Sequence, residues 1–438
     1  MSGTHAHSAA FVRGEMLPQQ PAPTSEAGAL KWLRENMFSG PVNTLLTLIG
    51  VYVVVHFVLE AAPWFLHGVW NAGSLSECRQ IITETWGPDA SGACWAVVKE
   101  RWSQFIFGFY PWELIWRPVL TFVLLFVALA PVLFSFVPRK LLAFSVVYPL
   151  LAIWLLWGGS PWVEIMIALG FVIGAVTYRV LETRNTLVAV LLAVILPLIF
   201  WGYISGPLDE LFERTMPLAI AKVPSDAFGG FLLSVTLGVG GIALSLPLGI
   251  MLALGRQSDM LLVKALSVGF IEFIRGVPLV TLLFVASLLL NYFLPPGTNF
   301  DIILRVEILV TLFASAYIAE VIRGGLAALP RGQYEAADAL GLDYWKAQRL
   351  IILPQALKIS IPGIVSTFIG MFKDTTLVVF VGLFDPLKGI TDIVRADFNW
   401  KGIYWEPYIF TGTIFFIFCF SMSRYSMYLE RKLKRDHR

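Results

Sequence analysis

Charge is scarce in this 438-residue sequence: Asp, Glu, Lys and Arg together make up 14% of it. Their near-balance, a net +2, points to neither nucleic acid nor a strongly acidic partner. Only three cysteines occur, and the five histidines (His5, His7, His56, His67 and His437) stand at no metal-ligand spacing, so no metal site is expected. No nucleophile-and-base pattern stands out, so no catalytic chemistry is expected on this chain. The phosphate-cradling pattern G-x-x-x-x-G-K-[ST] is missing, which excludes ATP binding in the usual way. Residues 1–42 have no apolar run and are rich in Pro and Ala, which reads as a cytosolic tail rather than a cleavable leader. No repeat of fixed period is found.

Apolar length is abundant. The chain is 57% hydrophobic with mean hydropathy +0.74, more than a soluble domain of this size can bury. A spanning helix needs roughly 20 predominantly apolar residues. Ten such stretches occur, at 44–62, 117–136, 141–158, 162–178, 186–204, 229–254, 277–295, 306–324, 359–383 and 406–425. The expected fold is all-α, a polytopic transmembrane helical bundle. Only Gly158-Gly159-Ser160-Pro161 separates the third stretch from the fourth, so 141–178 reads as two spans or as a re-entrant pair, which leaves eight helices.

Lys and Arg collect in alternate loops: Arg139, Lys140, Arg179 and Arg184, then Arg256, Lys264 and Arg275, then Arg323, Arg331, Lys346, Arg349 and Lys358, then the tail after Arg424. The opposite loops are poorer in them and carry Asp209, Glu210 and Glu213. The positive-inside bias puts both termini in the cytosol, which needs an even number of spans. Cys78 and Cys94 then fall in the long outer loop 63–116. Either they form a disulfide, worth on the order of 3 kcal/mol in the chain-entropy model, or they are two unpaired thiols. Cys419 lies inside the last span and reads as a packing residue.

The chain divides near residue 205. Residues 43–204 hold five apolar segments with aromatic ends (Trp154, Trp157, Trp162, Trp201, Tyr203), as suits a membrane interface. A polar connector over 205–228 contains Pro207, Pro217 and Pro224. Residues 229–438 then carry Gly, Ser, Thr and isolated charges, and small residues such as Gly238, Gly240, Gly241 and Ser245 permit close helix approach. This reads as an accessory half and a working half.

Residues 326–358 form a polar island between apolar runs. Pro330 and Gly332 break the chain, Gln333–Leu340 favours helix, Gly341 suits a helix stop, and Asp343 can cap a second helix over Tyr344–Leu350 that Pro354 ends. A compact two-helix knob follows, with Tyr334, Leu340, Leu342, Tyr344 and Trp345 as apolar surface. It can meet a partner groove or lie on lipid as an amphipathic hairpin.

The spacing Glu335-Ala336-Ala337, three residues, Gly341, nine residues, Ile351-x-Leu353-Pro354 resembles the EAA loop of ABC-importer membrane subunits. Glu272–Leu279 (EFIRGVPL, with Val277 for the usual Thr), Ala316–Gly325 (AYIAEVIRGG) and Lys373–Leu377 (KDTTL) resemble segments of polar amino-acid permeases of the type I ABC family. The resemblance covers about 225–432. The extended N-terminal half, with Gly92-Ala93-Cys94-Trp95, is similar to the M-type membrane subunit of general L-amino-acid ABC importers, with one extra helix pair near 150–204. The resemblance implies a five-helix permease core in the C-terminal half of a bacterial inner-membrane protein. It implies that Glu335, Ala336, Ala337, Gly341, Ile351, Leu353 and Pro354 couple the bundle to a separate ATPase dimer, which binds ATP-Mg, with no cofactor on this chain. A homologous membrane subunit, a periplasmic amino-acid-binding protein and an L-amino-acid substrate complete the expected partners, and alternating access is the expected mechanism.

Charges inside spans are costly and face a cavity or a partner. Lys373 and Asp374 in the ninth span, with Thr375 and Thr376, are substrate-pathway candidates: the ammonium suits a substrate carboxylate, the carboxylate a substrate ammonium. Equally, the pair can bridge helices. Glu320 and Arg323, one turn apart, read as a local ion pair. Arg275 reads as snorkelling to the inner interface, and Pro278 as a kink at the start of the seventh span that can serve a gate. Two other classes remain open: a secondary transporter using an ion gradient through Lys373, Asp374 and Glu320, and an assembly scaffold in which the N-terminal half only anchors.

Overall fold

A computed structural model describes residues 28–293 and 301–435. Most of the expected tail, residues 1–27, and His5, His7 and His437 lie outside the described residues. The described chain is helical throughout, and it falls into two compact units, Met1–Val69 with Arg79–Ala93, and Trp70–Cys78 with Cys94–Arg438.

The first unit holds α1 (Gly28–Asn36), α2 (Pro41–Leu66) and most of α3 (Leu75–Trp86). The α2 span buries none of its residues. At its end Ala93 N donates to Trp64 O and Val69 N to Ala93 O, each at 2.8 Å.

The second unit begins its helices with α4 (Ala96–Phe107), α5 (Trp116–Leu133), α6 (Leu142–Trp157), α7 (Pro161–Leu181), α8 (Thr186–Ile199) and α9 (Ser205–Thr215). The region 141–178 is two helices, and Arg139–Trp157 and Pro161–Leu181 are each long and apolar enough to be a span, so the eight-helix alternative is set aside. Ser160 starts α7 by accepting from Trp162 N. Along α7, Gly170 and Gly174 leave room for Trp201 and for Ala193 O of α8.

The helices after the connector are α10 (Gly230–Gln257), α11 (Leu261–Gly276), α12 (Leu279–Phe293), α13 (Ile302–Ala327), α14 (Arg331–Ala339), α15 (Tyr344–Ala347), α16 (Leu353–Asp374), α17 (Pro386–Ala396) and α18 (Trp405–Arg435). Among the described residues nine helices are long and apolar enough to cross a membrane, ten if the bent pair α11–α12 is one span. Pro278 does more than kink: α11 and α12 meet at 101°. Proline has no N–H to carry the ladder across the break.

Helix α13 is the axis of the working half. One buried cluster joins it to α10, α12 and α16 through Leu237, Leu283, Val306, Val310 and Met371. A second joins it to α10, α11 and α16 through Ala253, Ile271, Ile318, Ile322 and Ala356. The approach is close because glycine permits it. A Cβ on Gly249 would stand 2.6 Å from Ile318, and one on Gly325 would stand 2.6 Å from Ala356 O. The accessory helices α5 and α6 pack on α10 through Leu125, Ala128, Tyr148, Val235 and Val239.

The ninth expected span changes helix type before its end. The α-helix stops at Asp374 and a 3-10 segment runs over Thr375–Val381. Lys373 and Asp374 therefore stand in the last turn of α16, where the span changes from α-helix to 3-10.

Candidate functional site: the coupling loop and the bundle core

The loop between α13 and α16 is rigidly built. At the end of α14, Gly341 adopts φ +70, where a side chain is strained. This lets Leu342 N reach Ala337 O at 3.2 Å and Gly341 N reach Asp338 O at 2.9 Å, the paired bonds of a Schellman stop. Asp343 Oδ1 then accepts from Lys346 N at 2.9 Å and starts α15. The hydrogen bond from the Lys346 side chain, with its backbone N–H, holds the Asp343 carboxyl below the usual carboxylate range.

The second arm is not a separate helix that Pro354 ends. After α15 a π-helical turn over Gln348–Ile352 leads into α16, and Pro354 sits in the first turn of α16, where its missing N–H costs nothing. The knob is thus continuous with a membrane helix. Gln355 Nε2 donates to Gln333 Oε1 at 2.9 Å and fastens α14 to α16.

The seven expected coupling residues divide by exposure. Ala337 is buried, Ile352 beside Ile351 is fully buried, and Ile351 and Leu353 are half-buried, so these hold the knob together. Glu335, Ala336, Gly341 and Pro354 are exposed. The outward ridge is Leu340, Tyr344, Trp345 and Leu350, with Leu340 and Trp345 more than 70% exposed.

Beneath the knob lies a charge cluster. Glu320 Oε1 accepts from Arg323 Nε at 2.8 Å and from its Nη2 at 2.5 Å. Glu320 Oε2 faces Arg256 at 3.5 Å and Arg275 at 3.8 Å. Arg256 donates to Glu272 at 2.7 Å, and Arg275 lies over the Tyr317 ring. The Glu320–Arg323 contact is therefore one edge of a network that ties α10, α11 and α13. Arg275 belongs to that network rather than reaching alone for the interface. The sequence reading did not connect Arg256 or Glu272 to it, because their partners lie on other helices.

The pathway candidates are less exposed to ligand than their residue types suggest. Lys373 is exposed and Asp374 half-buried, and the two form no ion pair with each other. The Thr375 hydroxyl is buried on Phe372 O at 2.7 Å, and Thr376 donates to Lys373 O at 2.9 Å. Both hydroxyls thus serve the helix end. Two charges of α13 escaped the sequence reading. Arg305 donates to Ser287 O at 2.7 Å, and both carboxylate oxygens of Glu307 are enclosed against Gly240 without a hydrogen-bond partner among the described residues.

At the far end of the bundle, opposite the knob, a disulfide joins Cys78 and Cys94. Cys94 N donates to Glu406 at 2.7 Å, Trp400 Nε1 to Glu100 at 2.9 Å, and Leu75 N to Asn399 O at 2.8 Å. Arg101 pairs with Asp397. The start of α3, Cys94 and α4 are thereby fastened to the α17–α18 turn and the start of α18. Among the described residues no group of His, Cys, Asp and Glu is arranged to hold a metal.

Residues 245–435 match the family described as binding-protein-dependent transport system inner membrane component. The chain is 66% identical to the glutamate/glutamine/aspartate/asparagine transport system permease protein BztC of Rhodobacter capsulatus, over 98% of this chain and 99% of that one. It is 40% identical to the inner membrane amino-acid ABC transporter permease protein YhdY of Escherichia coli K12, over 95% and 96%. Both alignments run nearly end to end, so the helices near 150–204 are not an addition peculiar to this chain. One solved structure, described as an amino acid ABC transporter with histidines, matches 46% of this chain and 91% of that one at 30% identity and TM-score 0.41.

Proposed function

The chain belongs to the family of polar amino-acid ABC transporter permeases, inner membrane components of binding-protein-dependent transport systems, and on that premise we propose that Leu340, Tyr344, Trp345 and Leu350 are where an ATPase drives it. It is a polytopic inner-membrane protein, a transporter subunit and not the ATPase. An importer of this kind works with an ATPase, which binds the ATP, and a binding protein; the permease itself carries no cofactor. The substrates, on this reading, are acidic amino acids and their amides, from the likeness to a relative named for those four. Both termini are cytosolic, and a homologous membrane subunit stands beside this one.

The observation that carries the coupling reading is the build of the knob. An apolar ridge stands exposed on a loop whose stop, cap and cross-tie all resist deformation, and which continues without a joint into α16. Force applied there moves α16, and with it the Lys373–Asp374 end, where we place the substrate's charged groups. ATP binding draws two such knobs together and opens the bundle to the far side; hydrolysis resets it. Substrate must bind the two states differently for transport to be driven, so the site inside the bundle is a weak one. A transporter driven by an ion gradient needs no such ridge.

Leu340→Glu tests this without disturbing the fold, because the side chain is already in solvent. Uptake of labelled glutamate should fall at least about tenfold, the loss expected when one apolar anchor of an interface is replaced by a charge. Normal uptake at normal expression would remove the ridge from the mechanism.

A further inference from the structure

A cavity of about 280 Å³ opens at the far end of the bundle. It is smaller than the roughly 300–1,000 Å³ of pockets for drug-sized ligands, so it suits a small molecule. Four segments distant in sequence meet around it: the turn after α4, the connector before α10, the start of α13, and the stretch from Gly382 into α17. Phe109, Leu383 and Phe384 give it apolar walls, and Asp226, Lys388 and Asp392 give it charge. Among the described residues none of these three charges is in an ion pair. The nearby Asp385 does not neutralise Lys388 by direct contact, because both its carboxylate oxygens accept from backbone N–H groups of α17.

Unspent charges of both signs around one small apolar-walled space select a ligand that itself carries both signs. A simple anion would meet two carboxylates, and a metal cation would meet an ammonium. We propose that this cavity is a vestibule site for a free α-amino acid, with Lys388 facing its carboxylate and Asp226 and Asp392 its ammonium. Gly382 directly follows the seven-residue 3-10 segment that begins after Asp374. At about 2 Å of rise per residue, that segment sets the vestibule about 14 Å from Asp374. The substrate thus meets one matched set of charges on the way in and another at the helix end. The site rests on the transport reading above, but its test reads occupancy and not transport.

The test uses the full chain with Cys419→Ala, the one free cysteine, and Phe109→Cys, which leaves all three charges in place. Ile302→Cys, on another wall, repeats the measurement in case position 109 does not tolerate change. The rate of labelling by a membrane-impermeant maleimide is measured with and without L-glutamine at about 10 mM, a concentration suited to a weak site. The amino acid should slow labelling about fivefold. Lys388→Gln should abolish that protection, by loss of a charge-assisted contact, while Glu210→Gln, in an exposed surface pair, should keep it. Glutarate, which has carboxylates but no ammonium, should protect less than glutamate. Labelling unchanged by amino acid at both wall positions overturns the proposal. So does protection that survives Lys388→Gln, protection by glutarate equal to that by glutamate, or protection seen only when a binding protein is present. Any of these can occur with Leu340→Glu still abolishing uptake, so the vestibule can fail while the coupling reading stands.

Discussion

Asp385 has no exposed surface, yet it caps α17 through Leu387 N at 3.0 Å and Lys388 N at 3.1 Å. Burial pushes its carboxyl up to about 6 from an ordinary 3.8, against the pull of those N–H groups. A raised folded value means the folded chain holds the proton more tightly than the unfolded one. The stability it contributes is complete below pH 3.8 and is lost as pH rises through about 6. Asp385→Asn removes the titration and keeps one of the two capping oxygens. Thermal unfolding in detergent should show the variant more stable than the parent at pH 7.5, by on the order of 3 kcal/mol, and close to it at pH 4. Lys373→Ala tests the pathway reading: uptake should drop several-fold with insertion unchanged, and Lys373→Arg should restore part of it. Unchanged kinetics would remove Lys373 from both the substrate role and any essential bridge. The Lys373–Asp374 pair was legible because two charges interrupt an apolar run. Arg305 and Glu307 were not, because the apolar pattern starts a span near 306 and leaves them at its margin. Asp301 caps α13 five residues earlier, at Ile303 N and Leu304 N, which draws both charges into the helix.

The knob shows how far local chemistry carries an element. Gly341, Asp343 and the Ala-rich turn were readable because each acts on its own neighbours through one or two hydrogen bonds. The π-helical turn at Gln348–Ile352 and the role of Pro354 were not, since the join to α16 is set by packing of Ile352 and Ala356 under Ile318 and Ile322. The α11–α12 break was read as a kink for the same reason: Pro278 announces a discontinuity, but its 101° angle depends on Ile271 and Ile274 packing elsewhere. Two outcomes belong to this scale. Gly341→Asp should uncouple uptake from ATP hydrolysis while the chain still inserts. Open space surrounds the added Cβ, so the effect comes from about 1–2 kcal/mol of backbone strain and the new charge beside Leu340. Gly325→Leu should lower the unfolding midpoint measurably, at an overpacking cost of about 1–3 kcal/mol, because any Cβ there meets Ala356 O and Ser360 Oγ. A Gly325→Leu protein as stable as the parent would mean that α13 and α16 are not held this close.

At the scale of the molecule, membrane character followed from composition, since apolar runs of spanning length admit few alternatives; of the ten runs read as spans, nine helices among the described residues qualify, ten with the bent pair. What faces what did not follow. The ties from Cys94 and α4 to the α17–α18 turn and the start of α18 join residues some 300 positions apart, and no local pattern announces them. Cys78→Ser with Cys94→Ser should destabilise that far end by on the order of 3 kcal/mol, read as a lower unfolding temperature under non-reducing conditions, with no change in ATPase coupling at the opposite end. The central claim, that another polypeptide's nucleotide cycle drives this bundle through the ridge at Leu340, Tyr344, Trp345 and Leu350, is tested most directly by cross-linking in native membranes from Trp345→Cys in a Cys419→Ala background. The account predicts one major adduct, to an ATP-hydrolysing subunit, with a yield that changes when nucleotide is added. Active uptake by the variant, with no adduct to any such subunit, would contradict it.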